Sequence, residues 1–249
     1  MRPRFFVVAA AAIAMLAVPA AGALAQRDAS REGRGGERRS DGPDRRDWTQ
    51  RIEQTPEGGF RMGDPDAPVK LVEYLSLTCQ ECARLTAEGG QRLFQYYVRE
   101  GRVSVEYRNF TLNAYDMAAA FISRCASPRE YFNMTHHLLG HQPQWLGRMQ
   151  ALSDAQRAEL RAMTPIQAMQ RIAEMLGLNA IAARYGITPA QQRACLADQA
   201  GLDRIGQVME AAGSQHQVAE TPTFLINGVK QNAGNWAQLE PLLRAAVGG

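Results

Sequence analysis

Two thiols stand three positions apart at Cys79-Gln80-Glu81-Cys82. At that spacing two sulfurs can close a reversible disulfide, supply half of a tetrahedral zinc site, or hold a soft cation such as Cu(I). Zinc needs two more ligands at matching spacing. The other cysteines, Cys125 and Cys195, lie far apart in the chain, and of the four histidines only His137 and His141 share the i, i+4 spacing of one helical face. A solvated helix face is the commoner origin of such a pair, so no metal is expected. The redox reading rests on the surroundings. Val69 to Leu77 is rich in aliphatic, aromatic and β-branched residues and follows Pro65 and Pro68, the composition of a buried strand. After Cys79 the pattern becomes helical, with Cys82, Leu85, Leu93, Tyr96 and Tyr97 as apolar positions and an end near Gly101. Cys79 therefore falls where a strand passes into a helix. Unsatisfied backbone N–H groups and the positive end of the helix dipole favour a thiolate there, and the thiolate is the nucleophile. Cys82, one turn further on, is placed to attack a mixed disulfide and release the substrate.

The elements that must hold this pair follow in a recognisable order. Val103 to Phe110 reads as a second strand, and strand, helix, strand implies a parallel pair joined by a right-handed crossover. Residues 113–217 lose strand character, and segments such as EYFNMTHHLL, PIQAMQRIAEML and QQRACLADQAGLDRIGQVMEAA are bounded by Pro, Gly or candidate caps. Strand character returns at Thr223, where Asn227-Gly228 is the preferred dipeptide of a type I′ hairpin. Asn235 with Gln238 resembles a capping box opening a final helix through Leu243. The expectation is an α/β fold, β-α-β, helical insertion, β-β-α, with a first half at 58–112, an all-helical insertion at 113–217 and a second half at 218–249.

The N-terminus speaks to the compartment. Arg2 and Arg4 precede the uncharged run Phe5 to Val18, and Ala23-Leu24-Ala25 places small residues at the −3 and −1 positions. That is the pattern of a cleavable secretory signal over residues 1–25, with export to the periplasm expected. Residues 26–57, rich in arginine and acids in alternation and poor in aliphatics, read as a disordered charged linker. The whole chain carries a formal charge of +3. A balance so close to zero gives no electrostatic footprint for nucleic acid.

Three stretches together give a more specific identification. GDPDAPVKLVEYLSLTCQEC, then YRNFTL, then TPTFLING resemble the DsbA-like branch of the thioredoxin superfamily over about residues 60–247, a thioredoxin fold with an inserted helical domain. The resemblance implies a thiol:disulfide oxidoreductase that needs no cofactor. It implies that Pro222 is cis and faces the CxxC, and that Thr221 pairs with substrate through its backbone. It also matches Glu73 to an acidic residue beneath the disulfide, able to relay a proton to or from Cys82, whereas strand alternation alone leaves an exposed Glu73 open. In an oxidising compartment the even count argues for a second disulfide, Cys125 to Cys195, with two buried free thiols as the alternative. Some members of that branch are similar in carrying such a bridge.

The dipeptide between the cysteines departs from that branch. Strong oxidants carry Pro-His and reductants commonly Gly-Pro, whereas here Gln80 is neutral and Glu81 is acidic. An anion beside the Cys79 thiolate opposes its ionisation and weakens the disulfide as an oxidant, so Gln80 and Glu81 are read as tuning residues, with a Glu81 turned to water and screened as the alternative. Thr221 before the proline is similar to isomerase and reductase members. The expected partners are cysteine-containing secreted proteins and a membrane redox protein that recycles the pair, with the chain itself a monomer. Two other functions compete. A periplasmic copper-binding protein would use Cys79 and Cys82 as thiolate ligands, and a holdase would keep the pair as a vestige.

Overall fold

The structure is a computed structural model and describes residues 47–248. The expected signal peptide, and residues 26–46 of the expected linker, lie outside the described residues. The described strands form one mixed sheet. In chain order they are β1 (Ile52–Gln54), β2 (Phe60–Met62), β3 (Val69–Leu75), β4 (Val103–Asn109), β5 (Thr223–Ile226) and β6 (Val229–Lys230), arranged β1-β2-β4-β3-β5-β6. Only the central pair β3–β4 is parallel. This is a thioredoxin-like α/β fold, and β3, which leads to the CxxC, lies at its centre.

β3 does not alternate because both of its faces are covered. Leu71 and Leu75 belong to the large apolar core beneath the first helix, whereas Val72 and Tyr74 pack on the other face with Val208, Ala212, Val218 and Leu225. A strand buried on both sides reads as a continuous apolar run. The one acid in that run, Glu73, shares the face of Leu71 and Leu75 because side chains alternate along a strand.

From β3 the chain enters α1 (Gln80–Arg92), which continues through a π-helical turn, Leu93–Val98, before β4. The wider turn changes the phase of the helix. Tyr97 stays buried, but Tyr96, expected among the apolar positions, is exposed. Gly89 in α1 has a packing reason: a Cβ there would overlap the Trp236 ring.

The helical block is as read, from α2 (Ala114–Ser123) to α9 (Gln199–His216). Between them run α3 (Pro128–Gly140), α4 (Gln142–Gln150), α5 (Asp154–Ala162), α6 (Pro165–Met175), α7 (Leu178–Arg184) and α8 (Pro189–Cys195). Capping boxes at Ser153, Thr164 and Thr188 open α5, α6 and α8 and satisfy backbone N–H groups that a helix start leaves free. No helix among the described residues is long and apolar enough to cross a membrane. The β5–β6 hairpin turns at Asn227 and Gly228 with φ of 49° and 81°, and α10 (Trp236–Ala246) closes the chain. Asn235 caps α10 by accepting from the Gln238 N–H, but the Gln238 side chain accepts from the Gly234 N–H, so the reciprocal box is shifted by one residue.

One boundary needs correction. The linker expected through residue 57, with the first half starting at 58, is already ordered at its C-terminal end. Trp48–Gln50 forms a short 3₁₀ turn, and β1 pairs with β2 at the sheet edge. Among the described linker residues Glu53 lies on that edge, where it pairs with Arg61. Phe60 supplies the burial, stacking on Tyr131 with ring centroids 3.9 Å apart.

Candidate active site

Cys79 is the N-cap of α1. Its Sγ accepts from the Cys82 N–H at 3.5 Å and donates to the Thr221 carbonyl at 3.2 Å, across the cis Thr221-Pro222 bond. The thiol is half-buried and its pKa is lowered to about 5. The Cys82 thiol is the largest cause, opposed by burial and aided by Thr221 and the backbone N–H groups of Cys82 and Glu81. Cys82 is fully buried, and burial pushes its thiol well above the ordinary value. One sulfur is primed and the other is held back.

Glu73 sits below this pair at 2 % exposure. Burial, with a contribution from Cys79, raises its pKa to about 8, and its Oε1 has no hydrogen-bond partner among the described residues. The exposed alternative left open by strand alternation does not hold. A carboxyl that is protonated near neutral pH and adjoins two sulfurs can donate a proton or take one.

The Glu81 side chain follows the screened alternative. Gln80 is exposed, and the Glu81 carboxylate points to solvent, where it pairs with Arg84 at 3.0 Å. An exposed, paired anion is screened from the sulfur. What Glu81 contributes to Cys79 is its backbone N–H, which favours the thiolate, the opposite sense to the one expected of its side chain.

Cys125, just beyond α2, and Cys195, the last residue of α8, are joined by a disulfide. His137 and His141 stack with ring centroids 4.3 Å apart. They sit beside Trp145, Arg148 and Arg184 in a cleft of about 210 Å³. A copper site on the CxxC would need both sulfurs as thiolates, and the burial of Cys82 works against that.

The contacts that hold the turn before Cys79 left no mark in residue pattern or spacing. Asp116, in the first turn of α2, accepts from Ser76 Oγ at 2.5 Å, the Leu77 N–H at 2.9 Å and the Leu112 N–H at 2.9 Å. Asn113, the cap of α2, donates from Nδ2 to Thr78 Oγ1 at 3.2 Å. Gln142, first residue of α4, donates from Nε2 to the carbonyls of Leu77 and Cys79, each at 2.8 Å. A capping Asn113-x-x-Asp116 was legible as a helix start. Nothing distinguished Gln142 from the other glutamines of the insertion.

Known proteins resemble this arrangement. The thioredoxin family model matches residues 55–245. A Rickettsia bellii protein bearing the name "Putative protein-disulfide oxidoreductase" is 25% identical over 175 residues, 70% of this chain and 59% of that protein. The chain thus spans little more than half the length of that curated relative. Among solved structures, a protein-disulfide isomerase from Novosphingobium aromaticivorans is 28% identical with a TM-score of 0.72, covering 76% of this chain and 97% of the other. Wolbachia pipientis alpha-DsbA1, at 21% identity and a TM-score of 0.61, shares the fold over 76% of this chain and 90% of its own.

Proposed function

This chain belongs to the thioredoxin family, and within it we propose that it is a DsbA-like protein-disulfide oxidoreductase acting on cysteines of exported proteins. The asymmetry of the pair carries the reading: Cys79 is half-buried with its pKa near 5, whereas Cys82 is buried and pushed up. The names of the Rickettsia and Novosphingobium proteins support the same activity.

In the oxidising direction a client thiolate attacks Sγ of Cys79 in the Cys79–Cys82 disulfide. A mixed disulfide forms, Cys82 leaves as a thiolate, and Glu73 gives it a proton. A second client thiolate then attacks the client sulfur and releases Cys79 as its stabilised thiolate. Two electrons have passed from client to enzyme. The reducing direction is the reverse: Cys79 attacks, and Cys82, giving its proton to Glu73, resolves. Thr221 and Pro222 border the nucleophile, and in this reading the Thr221 backbone docks an extended client.

A nucleophile near pH 5 lies between the strong oxidants, at about 3.5 with potentials near about −120 mV, and thioredoxin, at about 7 and about −270 mV. The potential of this pair is accordingly expected between those limits. Equilibration against glutathione with thiol trapping measures it. Cys82→Ser should accumulate a mixed disulfide with a model client and Cys79→Ser none. Equal trapping by both variants would remove the assigned roles.

Export through residues 1–25, recycling by a membrane redox partner and a monomeric state complete the proposal. A mature N-terminus at Gln26 in a periplasmic fraction, and the sedimentation mass of the purified protein, test the first and last of these.

A further inference from the structure

We propose that Gln142 is a positioning residue for the nucleophile, through which the helical insertion sets the thiolate character and redox equilibrium of Cys79. The proposal rests on the oxidoreductase reading above and names a control that lies outside the CxxC and the Thr221-Pro222 segment.

The turn Ser76–Cys79 is gripped from two sides. The peptide groups of Leu77 are tied at both ends, with its N–H given to Asp116 of α2 at 2.9 Å and its carbonyl taken by Gln142 of α4 at 2.8 Å. The second hydrogen of the same Gln142 amide goes to the Cys79 carbonyl, also at 2.8 Å. That carbonyl already accepts the Ala83 N–H of the first turn of α1 at 3.2 Å. One amide nitrogen therefore couples Leu77, inside the turn, to Cys79, which caps the helix. Gln142 is 4 % exposed, so no water takes over the two carbonyls unless the side chain leaves.

This grip bears on chemistry because the Sγ of Cys79 owes its stabilisation to position. The thiolate is favoured by the Cys82 N–H, whose 3.5 Å contact with the sulfur depends on where the Cys79 backbone lies. A looser turn moves the sulfur off the helix N-terminus. The thiolate then loses stabilisation, the reduced form loses with it, and the disulfide becomes a weaker oxidant.

The test compares the full chain with Gln142→Met, which keeps the length and apolar body of the side chain but donates nothing. Three quantities are read: the thiolate titration of Cys79 by ultraviolet absorbance, the equilibrium constant with glutathione, and the melting temperature. Gln144→Met, on an exposed position of the same helix, is the control. The Gln142→Met titration should move to higher pH and its equilibrium constant should become about threefold to tenfold less oxidising, as expected for a net hydrogen bond or two. Gln144→Met should match wild type. Should Gln142→Met fail to fold, Gln142→Asn, too short to span both carbonyls, carries the same expectation. An altered melting temperature with an unaltered titration and equilibrium constant would overturn the proposal and leave Gln142 a structural residue. A wild-type protein that does not exchange with glutathione overturns the oxidoreductase reading, and this proposal with it. A wild type that exchanges beside an unaltered variant overturns this proposal alone.

Discussion

The two glutamates nearest the CxxC act through opposite circumstances. Glu81 is close in sequence but turned to water and paired with Arg84, so its charge reaches Cys79 weakly. Glu81→Gln is expected to leave the thiolate titration midpoint of Cys79 within about 0.3 pH units of wild type, since screening leaves an exposed, paired charge little reach. A larger fall in the midpoint would restore the carboxylate as a tuning group. Glu73 is distant in sequence and buried, with a pKa near 8 against an ordinary 4.5. Below the ordinary value both folded and unfolded chains hold its proton, and the group is neutral in its effect. As pH rises from there towards 8, the unfolded chain releases a proton that the folded chain keeps, so stability falls across that window. Glu73→Gln should remove this slope, giving the reduced protein up to about 4 kcal/mol at pH 8 and nothing at pH 4, read from urea unfolding at both. The CxxC, its place at a strand-to-helix junction and the presence of an acid in β3 were legible, because residue type and period encode them. The direction of the Glu81 side chain was not, since it depends on a partner one helical turn away.

Between elements, α1 packs closely on α10. Gly89 leaves a gap in α1 that the Trp236 ring fills, and Trp236 is the first residue of α10. Gly89→Ala removes the conformational freedom of a helical glycine, which by itself helps, but sets a methyl against the ring. The overlap should dominate, lowering stability by about 1–3 kcal/mol in denaturant titration, as overpacked cores do. A stabilised Gly89→Ala would mean that Trp236 can withdraw without loss. The order β-α-β, helices, β-β-α was readable because period, Pro-led helix starts and an Asn-Gly turn mark it locally. The β1–β2 edge was not. Three-residue strands carry too little pattern, and theirs is masked by charges that face solvent. Their identity comes from pairing with one another and with β4, which no local window contains.

For the molecule as a whole, the Cys125–Cys195 bond ties α2 to α8 across a sequence separation of 70. Closing a loop of that length should restrict the unfolded chain by about 4 kcal/mol. A Cys125→Ala, Cys195→Ala double variant is expected to lose about that much unfolding free energy in urea, while its Cys79–Cys82 potential stays at the wild-type value. A shifted potential would show that the insertion's own cross-link reaches the active site. The pairing of β3 with β5 has a different consequence, one of sequence in time. Tyr74 meets Thr223 and Leu71 meets Ile226, so the strand that leads to Cys79 is synthesised early and gains its second neighbour only near the end of translation. Contacts so distant along the chain form late and slowly. Throughout that interval Cys79 and Cys82 lack the Thr221-Pro222 cover, and Cys125 has emerged before its proper partner Cys195. A chain oxidised in order of emergence would join Cys79 to Cys82 first and leave Cys125 for Cys195, the bond the folded protein carries. The Cys125–Cys195 bond thus asks nothing of β5, whereas the cover over Cys79 waits for it.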